Sequence, residues 1–144
     1  MNRILFFLLL IIVLSSCKKE ESPFSEVPRI EVRSIYPDSA KAFSDSIVVE
    51  IYYEDGDGDL GENSPFAQNL FLVDQRNQLQ YGFRIGRIAS EGTPAIRGTM
   101  KVVLPYTNLV NGTGPEQLFF KVRVIDREGN SSNTANTGSV VVVE

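Results

Sequence analysis

Residues 46–54 read Ser46-Ile47-Val48-Val49-Glu50-Ile51-Tyr52-Tyr53-Glu54, and this stretch decides the fold class. Side chains of an extended chain alternate between two faces, so Ile47, Val49, Ile51 and Tyr53 share one side. Val48, Glu50, Tyr52 and Glu54 share the other. The alternation predicts a strand with one face in a core. Residues 118–125 repeat it, with Leu118, Phe120, Val122 and Val124 opposed by Phe119, Lys121, Arg123 and Ile125. Weaker runs of the same kind cover residues 29–35, 69–73, 79–85, 99–104 and 138–143, with polar turn clusters between them. The count is seven strands, and no segment has the length and periodicity of an amphipathic helix.

One sheet would leave its apolar face bare, which predicts two sheets packed over a shared core about 10 Å thick. Seven short antiparallel strands in about 115 residues predict an all-β, two-sheet sandwich of the immunoglobulin or fibronectin type III kind. A jelly roll or small barrel stays open, because strand number does not fix topology. Pro37 and Pro105 fall at strand ends, where a missing N–H is tolerated. The run Val122-Arg123-Val124-Ile125-Asp126-Arg127-Glu128-Gly129-Asn130-Ser131-Ser132 resembles the penultimate strand and turn of many bacterial Ig-like domains, V-x-V-x-D-x-x-G-N-x-S. A valine-rich final strand follows it, as that resemblance implies.

Towards the amino end, Arg3 precedes eleven consecutive apolar residues, Ile4 to Leu14, and then Ser15, Ser16 and Cys17. A positive start, a short apolar run and small residues make a secretory signal. A transmembrane helix needs about 20 apolar residues. Leu14-Ser15-Ser16-Cys17 resembles the lipobox of bacterial lipoproteins. That resemblance implies cleavage after residue 16, a covalent lipid on the Cys17 sulfur and attachment to the lipid bilayer through the acyl chains. Cysteine suits the chemistry because its thiolate is a good nucleophile. Lys18-Lys19-Glu20-Glu21 resembles the short charged signal that carries Bacteroidota lipoproteins to the outer leaflet. An outer-membrane location follows from that likeness, with display outside or in the periplasm left open. Residues 17–28 are polar, carry Pro23 and Pro28, and are expected to be a lipidated cysteine with a flexible tether. Residues 29–144 form the predicted domain.

The other chemistry sits directly after the decisive strand, in Glu54-Asp55-Gly56-Asp57-Gly58-Asp59-Leu60-Gly61. Alternation of Asp55, Asp57 and Asp59 with glycine lets several carboxylates converge. Such convergence is unfavourable unless water or a cation compensates the charge. Calcium suits hard oxygen ligands, six to eight at about 2.3–2.6 Å. The loop begins like an EF-hand, but position six is Leu60 and position twelve is Phe66, and no helices flank it. It is more similar to D-G-D-G-D-L-G loops of secreted Ig-like lipoproteins of the Bacteroidota, a likeness that implies an envelope location and a suspicion of calcium. A bound Ca2+ and a solvated acidic turn are both open readings. Asp126 joins the candidate ligands if its strand ends beside the loop. Asp74-Gln75-Arg76-Asn77 reads as a polar hairpin turn.

Composition removes several functions. Histidine and tryptophan are absent and Cys17 is the only cysteine, which excludes internal disulfides, Cys/His zinc sites and His- or Cys-based catalysis. The net charge is −4, and loss of Arg3 with the leader takes it to −5, so nothing electrostatic calls for nucleic acid. No catalytic serine motif is present, and the protein is expected not to be an enzyme. The remaining classes are a binding module for an envelope protein or glycan, with Tyr52, Tyr53, Tyr81 and Tyr106 as a candidate platform, and a structural or accessory subunit of an outer-membrane complex. Asp38-Ser39-Ala40 and Asp45-Ser46-Ile47 resemble the O-glycosylation acceptor of Bacteroidota, which requires Ser39 and Ser46 to face solvent.

Overall fold

The computed structural model describes residues 22–90 and 92–144. The leader, Cys17 and the charged start of the tether lie outside these residues. Ten strands follow in order: β1 Arg29–Tyr36, β2 Ser39–Lys41, β3 Ile47–Asp55, β4 Leu70–Asp74, β5 Gln80–Phe83, β6 Ile96–Leu104, β7 Glu116–Leu118, β8 Phe120–Val124, β9 Ala135–Asn136 and β10 Val140–Val143. They form three sheets, β1-β3-β6, β2-β10-β7 and β5-β4-β8-β9, none closed into a barrel. Every pairing is antiparallel except that of β2 with β10.

Each of the seven expected strands is present, and the three additional ones have local causes. β2 is a three-residue segment beside β10, too short to show a period. The run 118–125 is divided at the half-exposed Phe119, where the chain passes from one sheet to another. Its first part, β7, pairs with β10, and its second, β8, pairs with β4 and β9. Thr137 serves the backbone at this break: its hydroxyl accepts from Phe120 N at 2.9 Å and its N–H donates to Phe120 O at 3.0 Å. β9 is the two-residue remnant of pairing beyond that crossover.

The faces read from the alternation are the faces observed. Ile47, Val49, Ile51 and Tyr53 are buried, and so are Leu118, Phe120, Val122 and Val124. Together with Leu70, Leu72, Val102, Leu104, Val140 and Val142 they make one core shared by all three sheets. Burying each such aliphatic side chain contributes about 1.5–3 kcal/mol.

Register then decides which loops meet. Glu54 faces Arg29 and Asp55 faces Ile96, while Leu70 faces both Phe83 and Val124. Bonds from Glu62 N to Ile85 O and from Glu128 N to Asp59 join the two sheets there, so the end of β3, the starts of β1, β4 and β6, and the ends of β5 and β8 gather at one end of the molecule. The acidic loop lies there. At the other end Ile47 faces Leu104 and Asp74 faces Phe120, bringing the 75–79 turn beside the long 105–115 connection.

Candidate metal centre

Asp55 is the last residue of β3, and the pleat that buries Tyr53 also turns Asp55 inward, where it is fully buried. The next turns of chain keep Asp57 half-buried and bury Asp59. One ligand oxygen from each of Asp55, Asp57 and Asp59 lies within 4.8 Å of the others. Asp126, two residues past β8, is also buried, and its charge acts on Asp59. The four candidate ligands thus occupy one end of the fold, with the first three converging most tightly.

A shared pattern runs through the hydrogen bonds. Asp55 Oδ2 accepts from Leu60 N at 2.8 Å, Asp59 Oδ2 from Glu128 N at 3.1 Å, and Asp126 Oδ1 from Asn130 N at 2.7 Å. The other oxygen of each carboxylate is buried and has no hydrogen-bond partner among the described residues, and the same holds for Asp57 Oδ1. In Asp55, Asp59 and Asp126 one oxygen is thus anchored and its twin is unmatched. Buried acceptors are seldom left unmatched, because each costs about 1–3 kcal/mol, and more when charged.

The glycines have a second task beyond bending the loop. A Cβ on Gly56 would stand 2.3 Å from Phe24 O, one on Gly58 2.3 Å from Thr93 O, and one on Gly61 2.3 Å from Gly86 O. Three backbone segments therefore close directly over the loop. Gly56 N donates to Ser25 O at 2.8 Å, and the Arg97 guanidinium lies 6.0 Å from the centre of the Phe24 ring. Ser25, within the segment expected to be a tether, is thereby fastened to the acidic loop. Arg127 adds a bond from its guanidinium to Gly61 O at 2.9 Å.

Electrostatics follow from this enclosure. Burial, with the charges of Asp57 and Asp59, raises the Asp55 carboxyl to about 6 against the pull of the Leu60 N–H. Burial, then Asp126 and Asp57, raises Asp59 to about 6 as well, opposed by the Glu128 N–H and Arg127. A carboxyl whose folded value exceeds its unfolded value gives stability that is full below about pH 4 and is lost as pH rises through about 6. The metal-free protein should accordingly melt at a higher temperature at pH 5 than at pH 7.5, measured by calorimetry in chelator. A flat or opposite trend in that interval would show that these carboxyls are solvated.

Sequence reasoning located all four aspartates but not the groups that hold them: the N–H donors of Leu60, Glu128 and Asn130, and the covering segments at Ser25, Gly86 and Thr93. The alternating glycines were the available signal, read only as flexibility. Asp74 reads from sequence as a turn residue. The turn is there, with Asp74 N donating to Leu79 O at 2.9 Å. Yet Asp74 is fully buried and receives Arg76 Nη2 at 2.8 Å. Arg76 Nη1 reaches Glu116 at 2.9 Å, with further bonds to Asn108 O and Thr107 Oγ1. This network clamps the opposite end of the molecule.

Other candidates separate. Tyr53 is in the core and Tyr52 on the opposite face, stacked beneath Arg33 at 4.7 Å. Tyr81 meets Phe120 edge-on, and Tyr106 is exposed. The four tyrosines share no platform. Ser39 and Ser46 both face solvent.

With this geometry in place, the comparisons with known proteins bear on the amino end. Residues 1–17 match the prokaryotic membrane lipoprotein lipid attachment site. The match ends on Cys17, the expected acceptor of the lipid. Neither a curated protein nor a solved structure matches the chain. A lipid-anchoring motif thus precedes a β-rich domain whose acidic cluster could chelate a cation.

Proposed function

We propose that this protein is a non-enzymatic, Ig-like lipoprotein of the outer membrane, of the Bacteroidota type, that holds a calcium ion in its acidic loop. The observation that carries the reading is the set of buried carboxylate oxygens on Asp55, Asp57, Asp59 and Asp126 that no donor among the described residues satisfies. A cation supplies the missing partner, and an all-oxygen set selects a hard one. Four carboxylates leave coordination positions for backbone carbonyls and water. The ion is structural in this reading, because the carboxylates form one cluster and not a pair set across a cleft for acid/base chemistry.

The strand order supports the Ig-like assignment. β1-β3-β6 would form one layer, and β5-β4-β8-β9 the other, extended by β7 and β10 beyond the break at Phe119, with β2 running parallel to β10 along its margin. Among partners, assembly with an envelope protein is favoured over an aromatic glycan platform. The tyrosines are dispersed, whereas β6 is a nine-residue strand paired on one side only.

Two measurements test the reading. Intact-mass analysis of the native protein should find a chain beginning at a lipid-modified Cys17; an unmodified chain starting elsewhere refutes the anchor. Titration calorimetry on residues 18–144 should record calcium binding that Asp57→Asn weakens at least tenfold. Absence of heat together with unchanged melting at saturating calcium refutes the metal site.

A further inference from the structure

The Ser25–Gly56 hydrogen bond fixes more than the loop, because it places the exit of the tether. Ser25 is held against the acidic loop, and only eight residues separate it from Cys17. Those residues span at most about 29 Å when fully extended. A nine-residue strand such as β3 is itself about 30 Å long. To bring the opposite end of the domain to the bilayer, the whole leash would have to run straight along the strands. The acidic-loop end is the one that the anchor holds towards lipid.

That end presents apolar side chains at loop tips. Phe66, in the connection from the acidic loop to β4, is 91% exposed, and Val27 and Ile88 are exposed by 45% and 40%. Ile88 lines a shallow depression with Asn63, Arg87 and Ser90, so the 62–68 and 86–90 loops stand side by side. The far end also exposes aromatics, Phe43 and Tyr106, and the leash geometry distinguishes the two. An aromatic ring near a bilayer gains by entering the headgroup region, where its apolar body leaves water.

We infer that the acidic-loop end is a lipid-contact surface, with Phe66 entering the interface of the bilayer to which Cys17 is attached. The inference rests on Cys17 being the acyl attachment point. It makes the domain lean on the membrane instead of standing away from it. The covered carboxylates then lie close to the headgroups, and a bound cation lowers their repulsion from anionic lipid.

The chain contains no tryptophan, so Phe66→Trp creates a single reporter at a site where the larger ring meets only solvent. The full lipidated chain, with calcium present, would be reconstituted into vesicles of phosphatidylethanolamine and phosphatidylglycerol. Tyr106→Trp, at the far end, is the control. The expected result is a blue-shifted Phe66→Trp emission, quenched at least twofold by lipids brominated near the headgroup, and an unshifted, unquenched Tyr106→Trp. Flotation of both variants with the vesicles reports the anchor separately. A Phe66→Trp protein that floats yet keeps the emission it has in detergent-free buffer without lipid overturns the inference. Equal quenching of both variants overturns it too. Failure to float overturns the anchor reading on which it rests.

Discussion

Asp59→Asn should raise the melting temperature of the metal-free protein at neutral pH by about 7 °C and abolish its response to calcium. The two effects have opposite signs for one reason. In the metal-free fold the buried Asp59 carboxylate faces Asp126 and Asp57, and burial with those charges lifts it to about 6. Keeping it ionised at neutral pH costs on the order of 2 kcal/mol once relaxation of a loop near the surface is allowed for. An asparagine still accepts from Glu128 N through its carbonyl oxygen. Its amide replaces the partnerless Asp59 Oδ1 with a donor aimed at neighbouring carboxylates. In the wild type the same charge becomes an asset when the ion arrives. Calcium at a hundredfold excess over its dissociation constant stabilises by about 2.7 kcal/mol, or about 10 °C for a domain of this size. Differential scanning calorimetry in chelator and in calcium measures all four values. A destabilised Asp59→Asn in chelator, together with a wild type indifferent to calcium, would mean that the aspartates serve only as loop hydrogen-bond acceptors.

The second large effect is expected far from that loop. Arg76→Ala should destabilise the domain by about 3–5 kcal/mol, because it strands the fully buried Asp74 carboxylate. The guanidinium meets both oxygens of Asp74, through Nε at 3.1 and 3.2 Å and Nη2 at 2.8 Å. It also joins the 75–79 turn to Thr107 and Asn108 of the long connection and to Glu116 at the start of β7. Glu116 in turn accepts the N–H groups of Val110 and Asn111, which, with Arg76, hold its carboxyl below the usual range. Arg76→Lys keeps the charge without the planar fork and should recover less than half of the loss. Urea denaturation of the three proteins gives the ordering. Wild-type stability in Arg76→Ala would show that water satisfies Asp74 and that the clamp is ornamental to the fold.

The two ends of the molecule illustrate different degrees of legibility. Asp55, Asp57 and Asp59 fall within five consecutive residues at the end of β3, and that local spacing alone brings them together. The Arg76 network joins residues 74, 76, 107, 108 and 116, whose separation in sequence conceals a contact that strand pairing creates. Asp126 lies between these cases. Sequence leaves it a conditional ligand, and only the bonds from Glu128 N to Asp59 and from Arg127 to Gly61 O place the chain after β8 at the acidic loop.

Alternation along Ser46–Glu54 and Leu118–Ile125 determined an all-β chain and the inward identity of its core residues, because a period of two is a property of the extended backbone itself. Residues 1–17 likewise carry the lipid-attachment motif in linear form, legible from the order of residue types alone. The division of one apolar run into β7 and β8, the parallel seat of β2, and the enclosure of Asp55, Asp59 and Asp126 were decided only by tertiary structure. Each depends on which distant backbone arrives alongside, and burial, hydrogen-bond partners and raised carboxyl pKa values come into being only when it does.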